Sequence, residues 1–191
     1  MKLAQFLGLA AFVALAACSR QDAGSHATDV TGALPALDFT MMRANDGREV
    51  QGSDYAGKVA ILYFGYTHCP DICPTTLSDL ADALRKLGPQ ADEVRVLFVT
   101  VDPNRDTLDV MKGYVASFAP QIDGLRGTPD ELTALTRRYR IAFSVTPGPP
   151  YEVMHSNAVF FFDKAGRARL VSTDVSRPDE VAADLKKVLG Q

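Results

Sequence analysis

The chain has 191 residues, 47% of them hydrophobic and 23% charged, and its formal net charge at pH 7 is −3. This length and composition predict one globular domain that buries a sizeable apolar core. Nucleic-acid binding is excluded on the same grounds, because the chain is acidic overall and has no long cluster of Lys and Arg.

The N-terminal 17 residues are predicted to be a lipoprotein signal peptide. Lys2 precedes a nearly continuous apolar stretch, residues 3–17, which is short for a membrane-spanning helix of about 20 residues. The sequence Leu-Ala-Ala-Cys at residues 15–18 resembles the lipobox, at which bacterial lipoproteins are cleaved and then lipidated on the cysteine. We therefore expect a lipid on Cys18; the alternative is an ordinary signal peptide or short anchor helix with a chance cysteine.

Residues 18–35 are predicted to be a flexible tether, because they are rich in Ser, Thr, Gly, Ala and Asp. His26 lies in this segment and is expected to be solvated. The folded domain then spans residues 36–191 and, through the lipid, faces the periplasm or the outer side of the membrane. Conditions there are oxidising, so a cysteine pair that binds a metal ion has to be kept reduced.

The folded domain is predicted to begin with a β-hairpin. Residues 37–43 and 48–50 flank the sequence Asn-Asp-Gly, which is a strong turn signal between two strands. Two later runs, residues 59–63 and 94–101, are almost continuously apolar and rich in β-branched residues. Such runs are typical of strands that are buried on both faces of a sheet.

Four segments have apolar residues at helical spacing, and they are residues 77–87, 106–118, 128–139 and 176–189. The first ends at Gly88-Pro89, a common helix stop. Residues 128–131 (Thr-Pro-Asp-Glu) have the form of a capping box with proline at the first helical position. Ser176 is predicted to cap the last helix.

The remaining predicted strands lie in the C-terminal third. Residues 141–145 form a short strand before a Pro/Gly loop, and residues 157–162 and 168–172 form a hairpin. The periodicity predicts an α/β fold. The position of two cysteines at the first strand–helix junction narrows this to a thioredoxin-like fold with an N-terminal β-hairpin and a late β-hairpin insertion.

Cys69 and Cys73 are the candidate functional residues at that junction. In a helical conformation their Cβ atoms would be about 5–6 Å apart on one face. That separation suits a shared metal ion and, after modest adjustment, a disulfide. A cysteine at a helix N-terminus is also expected to have a lowered pKa. The geometry therefore suits both a redox pair and a pair of metal ligands.

The spacing of the cysteines separates some of these possibilities. Three intervening residues argue against the C-x-x-C redox motif. Zinc commonly needs a second cysteine pair, and only two cysteines are left once Cys18 is lipidated. Soft thiolates without such a pair favour copper, particularly Cu(I), with an imidazole completing the ligand set. His155 precedes an apolar strand, where a histidine is either a satisfied structural group or a ligand, and the pattern leaves both open.

Three motifs resemble those of the Sco/SenC family of copper-binding proteins. Residues 63–75 (Tyr-Phe-Gly-Tyr-Thr-His-Cys-Pro-Asp-Ile-Cys-Pro-Thr) look like the family signature. Residues 101–107 (Val-Asp-Pro-Asn-Arg-Asp-Thr) are similar to its second motif, and residues 151–156 (Tyr-Glu-Val-Met-His-Ser) to the surroundings of its ligand histidine. The motifs occur in the family order, and the resemblance covers the chain from about residue 37 to its C-terminus.

This resemblance implies copper, as Cu(I) and/or Cu(II), bound by Cys69, Cys73 and His155. It implies a metallochaperone that delivers copper to the copper-binding subunit of cytochrome c oxidase during assembly, with another periplasmic copper carrier or a thiol reductant as further partners. The alternatives are a thiol–disulfide oxidoreductase that reduces the target's cysteines, using Cys69 and Cys73 as its redox pair, and a redox or copper sensor. Whether the protein is an enzyme therefore stays open, and we expect that it is not.

Five further residues are expected around these ligands or on the surface that meets a partner, and they are His68, Asp71, Asp102, Arg105 and Met154. Many family members have an acidic residue where this chain has Met154, so this chain lacks the carboxylate that those members place before the ligand histidine. Met154 itself is a packing residue or, alternatively, a thioether ligand.

The loop that contains Asp102 is expected to lie near the cysteine loop, because neighbouring parallel strands end at the same edge of a sheet. Asp102 before a proline is also a common way to end a strand. Arg105 is expected to pair with Asp106, and Asp106 or Thr107 to cap the following helix.

Overall fold

The computed structural model describes residues 26–191. The strands are β1 Thr28–Asp29, β2 Thr40–Arg43, β3 Arg48–Gln51, β4 Val59–Gly65, β5 Val94–Thr100, β6 Ile122–Arg126, β7 Phe143–Thr146, β8 Glu152–His155, β9 Val159–Phe162 and β10 Ala168–Ser172. The α-helices are α1 Ile72–Leu87, α2 Leu108–Ala116, α3 Pro129–Arg138 and α4 Pro178–Leu189. Short 3₁₀ helices lie at Gly52–Tyr55 and Gly88–Glu93.

Eight strands form one mixed sheet in the order β1-β10-β9-β4-β5-β6-β2-β3. Strands β4, β5 and β6 are parallel, and the other pairings in this sheet are antiparallel. Strands β7 and β8 form a separate two-stranded sheet. Together with helices on both faces of the large sheet, this arrangement confirms the predicted thioredoxin-like α/β fold.

The central strand β4 is buried at every position, and its side chains alternate between two cores. Ile61 and Tyr63 face the core that α1, α2 and α4 cover, whereas Leu62 and Phe64 face the core beneath α3. Each fully buried apolar side chain of this size contributes about 1.5–3 kcal/mol relative to exposure. The continuous apolar run at residues 59–63 is therefore explained by burial on both faces.

Several predicted boundaries are confirmed. Strands β2 and β3 form the N-terminal hairpin, with Gly47 at φ 71° in the left-handed region that favours glycine. The capping box is present, because Thr128 accepts from the Glu131 amide and the Glu131 carboxylate accepts from the Thr128 amide. Strands β9 and β10 form the late hairpin, with an irregular register between Ala168 and Leu170.

The prediction that Ser176 caps the last helix is wrong. Helix α4 begins at Pro178, and Arg177 occupies the cap position without a side-chain hydrogen bond. Pro178 supplies the helical φ angle and has no amide hydrogen that needs a partner. The Ser176 amide instead donates to the Asp174 carboxylate over 2.9 Å, so Ser176 belongs to the preceding turn.

Three strands were not predicted, and they are β1, β6 and β8. The sequence of β6, Ile-Asp-Gly-Leu-Arg, breaks the apolar pattern with Asp123, which is buried and accepts a 2.9 Å hydrogen bond from the Tyr55 hydroxyl. Strand β8 follows the Pro/Gly loop directly and pairs with β7, placing His155 opposite Phe143. A second hairpin therefore precedes the predicted one.

The folded part of the chain begins earlier than residue 36. Strand β1 pairs with β10, and the buried Ala27 donates its amide hydrogen to the Asp184 carboxylate over 3.1 Å. The predicted tether therefore differs from the structure over its last residues, because their backbone groups are hydrogen-bonded to the domain. His26 also has a partner, with Nδ1 3.0 Å from a Glu180 carboxylate oxygen.

The predicted signal peptide and Cys18 lie outside the described residues. Within residues 26–191, none of the helices has the length and apolar character needed to cross a membrane.

Candidate metal centre

Cys69 and Cys73 lie where β4 passes into α1. Cys69 is in the connecting loop, and Cys73 is in the first turn of α1, which begins at Ile72. The Cys73 amide donates to the Cys69 Sγ over 3.4 Å, while Asp71, at the cap position, makes no side-chain capping bond. The Cys69 sulfur therefore occupies the place that a capping oxygen normally takes.

Gly65 makes room for the cysteine pair at the end of β4. A Cβ atom at this position would lie 2.6 Å from the Phe98 ring and 3.0 Å from the Cys73 Sγ. Both distances are shorter than ordinary contacts, so a side chain here would displace the sulfur or the ring. The absence of a side chain at Gly65 thus lets the Cys73 sulfur rest against the sheet.

His155, at the end of β8, brings its ring to the same sulfur. Its Nε2 atom lies 3.3 Å from the Cys73 Sγ, and its Nδ1 atom lies 2.9 Å from the Ser156 carbonyl oxygen. Because a carbonyl only accepts, Nδ1 carries the proton and Nε2 presents its lone pair towards the cysteines. The rings of Tyr63 and Tyr66 lie edge-on to the imidazole at centroid distances of 6.2 and 5.9 Å.

The three candidate ligands form one cluster. Three atoms lie within 4.8 Å of one another, and they are the Sγ of Cys69, the Sγ of Cys73 and a ring nitrogen of His155. Two ligands on opposite sides of an ion at about 2.3 Å would be about 4.6 Å apart, so small movements suffice to place all three on one ion. Cys69 and Cys73 form no disulfide in the structure. Two thiolates and an imidazole are a soft ligand set of the kind that fits copper.

The expectation of a lowered cysteine pKa is wrong for Cys73. Burial is the largest influence, and together with the hydrogen bond to Cys69 it raises the pKa of Cys73 to about 12. The cost of removing a thiolate from water exceeds the effect of the helix N-terminus. Burial also lowers the pKa of His155, so its imidazole is neutral near pH 7. A metal ion that binds here replaces the Cys73 proton.

Asp106 fixes the backbone of the cysteine loop. Its buried carboxylate accepts hydrogen bonds from the Thr67 amide (2.9 Å), the Thr67 hydroxyl (2.6 Å) and the Thr100 hydroxyl (2.6 Å). The predicted pairing of Arg105 with Asp106 is wrong, because the Arg105 Nε donates to the Asp102 carboxylate instead. Thr107 is the residue that caps α2, through its hydroxyl and the Val110 amide.

His68 lies against Asp106 and outside the ligand cluster. Its Nδ1 atom is 3.5 Å from an Asp106 carboxylate oxygen, and its side chain is 49% exposed. Its neighbour Cys69 is buried. The two side chains thus point in different directions, and His68 borders the loop.

Asp102 and Arg105 connect the cysteine loop to the segment that carries His155. The buried Asp102 carboxylate accepts from the Tyr151 hydroxyl over 2.7 Å and from the Arg105 Nε over 2.5 Å. The Arg105 guanidinium stacks over the Tyr151 ring at 3.9 Å and lies 5.9 Å from the Tyr66 ring centroid. The prediction that this loop lies near the cysteine loop is confirmed.

Met154 and Asp71 lie outside the cluster. Met154 is 69% exposed and adjacent to His155 on β8, so the two side chains point to opposite faces of the strand. Asp71 is exposed at the start of α1. Both are available to a partner, and the thioether is not placed as a third soft ligand.

Sequence reasoning missed the tyrosines that surround the site. The available signal was their position in the sequence, because the family-like motifs contain Tyr63, Tyr66 and Tyr151. Their contacts run between loops that are distant in sequence, so their roles became visible only in the structure.

The fold and the site together define a class. The protein is a thioredoxin-like domain in which a C-x-x-x-C pair at the first strand–helix junction and a histidine from a late hairpin form a cluster of soft ligand atoms. The chain belongs to the SCO1/SenC family, whose model matches residues 31–190.

Among individual proteins, the chain is similar to the mitochondrial SCO2 homolog of Bos taurus, with 39% identity over 134 residues, which cover 68% of this chain and 50% of the relative. The chain spans about half the length of the mitochondrial relatives that it matches.

Among solved structures, copper-bound ScoI of Bradyrhizobium japonicum has a TM-score of 0.74 and 37% identity, covering 81% of this chain and 99% of that one. Copper-bound ScoI of Arabidopsis thaliana has a TM-score of 0.75 and 33% identity, covering 82% and 98%. Copper is therefore the metal bound in similar structures, and the Cys-Cys-His cluster of this chain fits it.

Proposed function

We propose that this protein is a copper metallochaperone that supplies copper to the copper-binding subunit of cytochrome c oxidase during assembly. The observation that carries the proposal is the cluster of two free cysteines and one histidine, whose ligand atoms all lie within 4.8 Å of one another. It is supported by membership of the SCO1/SenC family and by the copper bound in two similar structures.

The ligand set suits a transferable ion better than a permanent one. Three ligands leave a coordination position open, and a partner ligand can enter there before any bond to this protein breaks. Cys73 is fully buried, whereas Cys69 is 9% exposed and His155 is half-buried. The partner would therefore approach from the side of Cys69 and His155, and Cys73 would release the ion last.

The proton and charge balance follows from the ligand atoms. Cu(I) with two thiolates and a neutral imidazole has a net charge of −1. Each thiol gives up one proton when the ion binds and recovers it when the ion leaves. Cu(I) passes to the partner's ligands without a change of oxidation state, so this exchange needs no electron donor.

We further propose that the donor is anchored to a membrane, on the basis of the lipobox-like sequence at residues 15–18. A lipid on Cys18 would hold the domain on the periplasmic or outer side of the membrane, near a membrane-bound oxidase. Another periplasmic copper carrier would load the site, and a thiol reductant would keep Cys69 and Cys73 reduced under oxidising conditions.

A second candidate function is reduction of a disulfide in the target protein. The closeness of the two cysteine sulfurs favours it, because two neighbouring thiols can become a disulfide while the target disulfide becomes two thiols. Two electrons and two protons then pass from Cys69 and Cys73 to the target. The more exposed Cys69 would attack, since Cys73 is buried and its pKa is raised. This reaction does not use His155.

Copper titration of the reduced full-length protein separates these functions. We expect one copper per chain, thiolate-to-copper absorption, and much weaker binding in Cys69→Ser, Cys73→Ser and His155→Ala. His68→Ala is the matched control, because that histidine is outside the cluster. Absence of stoichiometric binding would refute the chaperone. Oxidase assembly that persists in His155→Ala but fails in both cysteine variants would favour the reductase. Copper binding with no effect on assembly would indicate a sensor.

A further inference from the structure

Tyr63 has an unpaired hydroxyl in the core beside the metal centre. The side chain is fully buried, and among the described residues its oxygen has no hydrogen-bond partner of acceptable geometry. Buried polar groups are rarely left unpaired in folded proteins, and an exception calls for an explanation. A group that acquires its partner only when the site is loaded is one such explanation.

The position of Tyr63 on β4 aims its ring at the ligand cluster. Tyr63 and Gly65 are two residues apart, so they share the face of the strand that α1 covers. The Cys73 sulfur rests against Gly65 on this face, and Tyr63, Cys69 and Cys73 belong to the same packed core. The Tyr63 ring also meets the His155 ring edge-on, 6.2 Å between centroids.

The electrostatic effects of Tyr63 and Cys73 on each other agree with this placement. Burial first, and then negative charge on Cys73, raise the pKa of Tyr63 well above its usual range, so the phenol keeps its proton. Burial and Cys69 raise the pKa of Cys73, and the Tyr63 hydroxyl acts against them and lowers it. The phenol is therefore a hydrogen-bond donor that lies beside the ligand cluster.

We propose that the Tyr63 hydroxyl donates a hydrogen bond to the Cys73 thiolate of the copper-loaded site and is unpaired in the metal-free protein. A thiol is a weak acceptor, whereas a thiolate that has exchanged its proton for a metal ion is charged and accepts strongly. The bond therefore favours the loaded state over the empty state. It orients the Cys73 sulfur and offsets part of its negative charge. This inference rests on the proposed copper site.

Thr76 is the competing partner for the same hydroxyl. It is buried one turn after Cys73 on α1, and its side chain acts to lower the pKa of Tyr63. A permanent Tyr63–Thr76 hydrogen bond would stabilise the metal-free protein and leave copper affinity unaffected. The two assignments therefore predict opposite patterns of stability and affinity.

The test compares three Tyr→Phe variants of the full-length protein, each of which removes one hydroxyl. Tyr63→Phe is expected to weaken Cu(I) binding by about 10- to 100-fold, measured by competition with a Cu(I) chelator, and to shift the Cu(II)–thiolate absorption band. Its denaturant midpoint without metal should be unchanged or higher, because an unpaired buried group is removed. Thr76→Val is expected to leave copper affinity unchanged.

Two tyrosines provide matched controls. The Tyr114 hydroxyl is also buried and unpaired, and after burial the charges of Cys73 and Cys69 raise the pKa of Tyr114 as well. Its ring packs on Phe98 and Phe118, so Tyr114→Phe controls for the loss of a nearby buried hydroxyl and should weaken copper binding far less than Tyr63→Phe. The Tyr139 hydroxyl donates to the Ala36 carbonyl oxygen over 2.8 Å in the opposite core. Tyr139→Phe should therefore lower the midpoint without affecting copper.

The wild-type titration separates a failure of the proposed copper site from a failure of the Tyr63 assignment. If the wild-type protein does not bind copper stoichiometrically, the proposed function itself fails. If it binds copper and Tyr63→Phe matches it within about twofold with an unshifted band, only the assignment of Tyr63 is overturned. A metal-free midpoint that falls as far as in Tyr139→Phe, with no change at the metal, overturns it as well.

Discussion

Asp106→Ala tests how the cysteine loop is held in place. The carboxylate accepts three hydrogen bonds, from the Thr67 amide, the Thr67 hydroxyl and the Thr100 hydroxyl. Each bond to a charged group is worth about 1.5–3 kcal/mol, and a buried donor left unpaired costs about 1–3 kcal/mol. Because Thr67 can rotate its hydroxyl to another partner, we expect a total loss of about 3–5 kcal/mol in the free energy of unfolding.

Asp106→Asn sharpens this prediction. Its amide oxygen can still accept from the Thr67 amide and the Thr100 hydroxyl, while its amide nitrogen donates to the Thr67 hydroxyl. We therefore expect Asn to restore more than half of the stability that Ala loses. Urea unfolding of the metal-free protein at pH 7 measures both variants, with exposed Asp109→Ala as control. An Ala variant within about 1 kcal/mol of wild type, or an Asn variant no better than Ala, would refute the reasoning.

Three further predictions concern protonation and packing. Burial raises the pKa of Cys73 to about 12, so Cu(I) has to displace a proton from this thiol throughout the neutral range. Loss of this one proton should make the Cu(I) affinity rise about tenfold per pH unit. A chelator competition that gives the same affinity at pH 6 and pH 8 would contradict this. Gly65→Ala should cost about 1–3 kcal/mol of stability through overpacking against Phe98 and weaken copper binding, as denaturation and titration would show. Burial of Asp163 is outweighed by hydrogen bonds from Arg167, so its pKa is lowered; the stability it contributes is present above the unfolded pKa of about 3.9 and is lost as pH falls through the folded value. Asp163→Asn should lower stability at pH 7 and flatten its decline in acid; an unchanged acid limb of the pH–stability curve would count against the assignment.

The parts of the fold that were predictable have strong local signals. The apolar run at residues 59–63 identified β4, and the Thr128–Glu131 capping box identified the start of α3. Strand β6 had no such signal, because Asp123 interrupts its apolar pattern. That carboxyl is acceptable in the core because the Tyr55 hydroxyl, 68 positions away, donates to it and the Arg43 guanidinium lies 3.7 Å from it. No window of sequence contains all three residues.

The candidate site was likewise predictable only where the sequence has a strong local signal. The spacing of Cys69 and Cys73 and the resemblance of three motifs indicated the ligands, whereas the residue pattern around His155 left two interpretations open. The structure adds two hydrogen bonds that the sequence does not show. The His155 Nδ1 donates to the Ser156 carbonyl oxygen and so fixes the tautomer of the imidazole, and the Tyr151 hydroxyl donates to the Asp102 carboxylate. The raised pKa of Cys73 was mispredicted, because helix position was visible in the sequence and burial was not.

The most direct test of the account is X-ray absorption at the copper edge of the loaded full-length protein. The account predicts two sulfur scatterers and one imidazole per copper, from Cys69, Cys73 and His155. His155→Ala should lose the imidazole contribution and retain both sulfurs, whereas His68→Ala should match wild type. An all-sulfur or all-nitrogen environment, or an imidazole that persists in His155→Ala and disappears in His68→Ala, would contradict it.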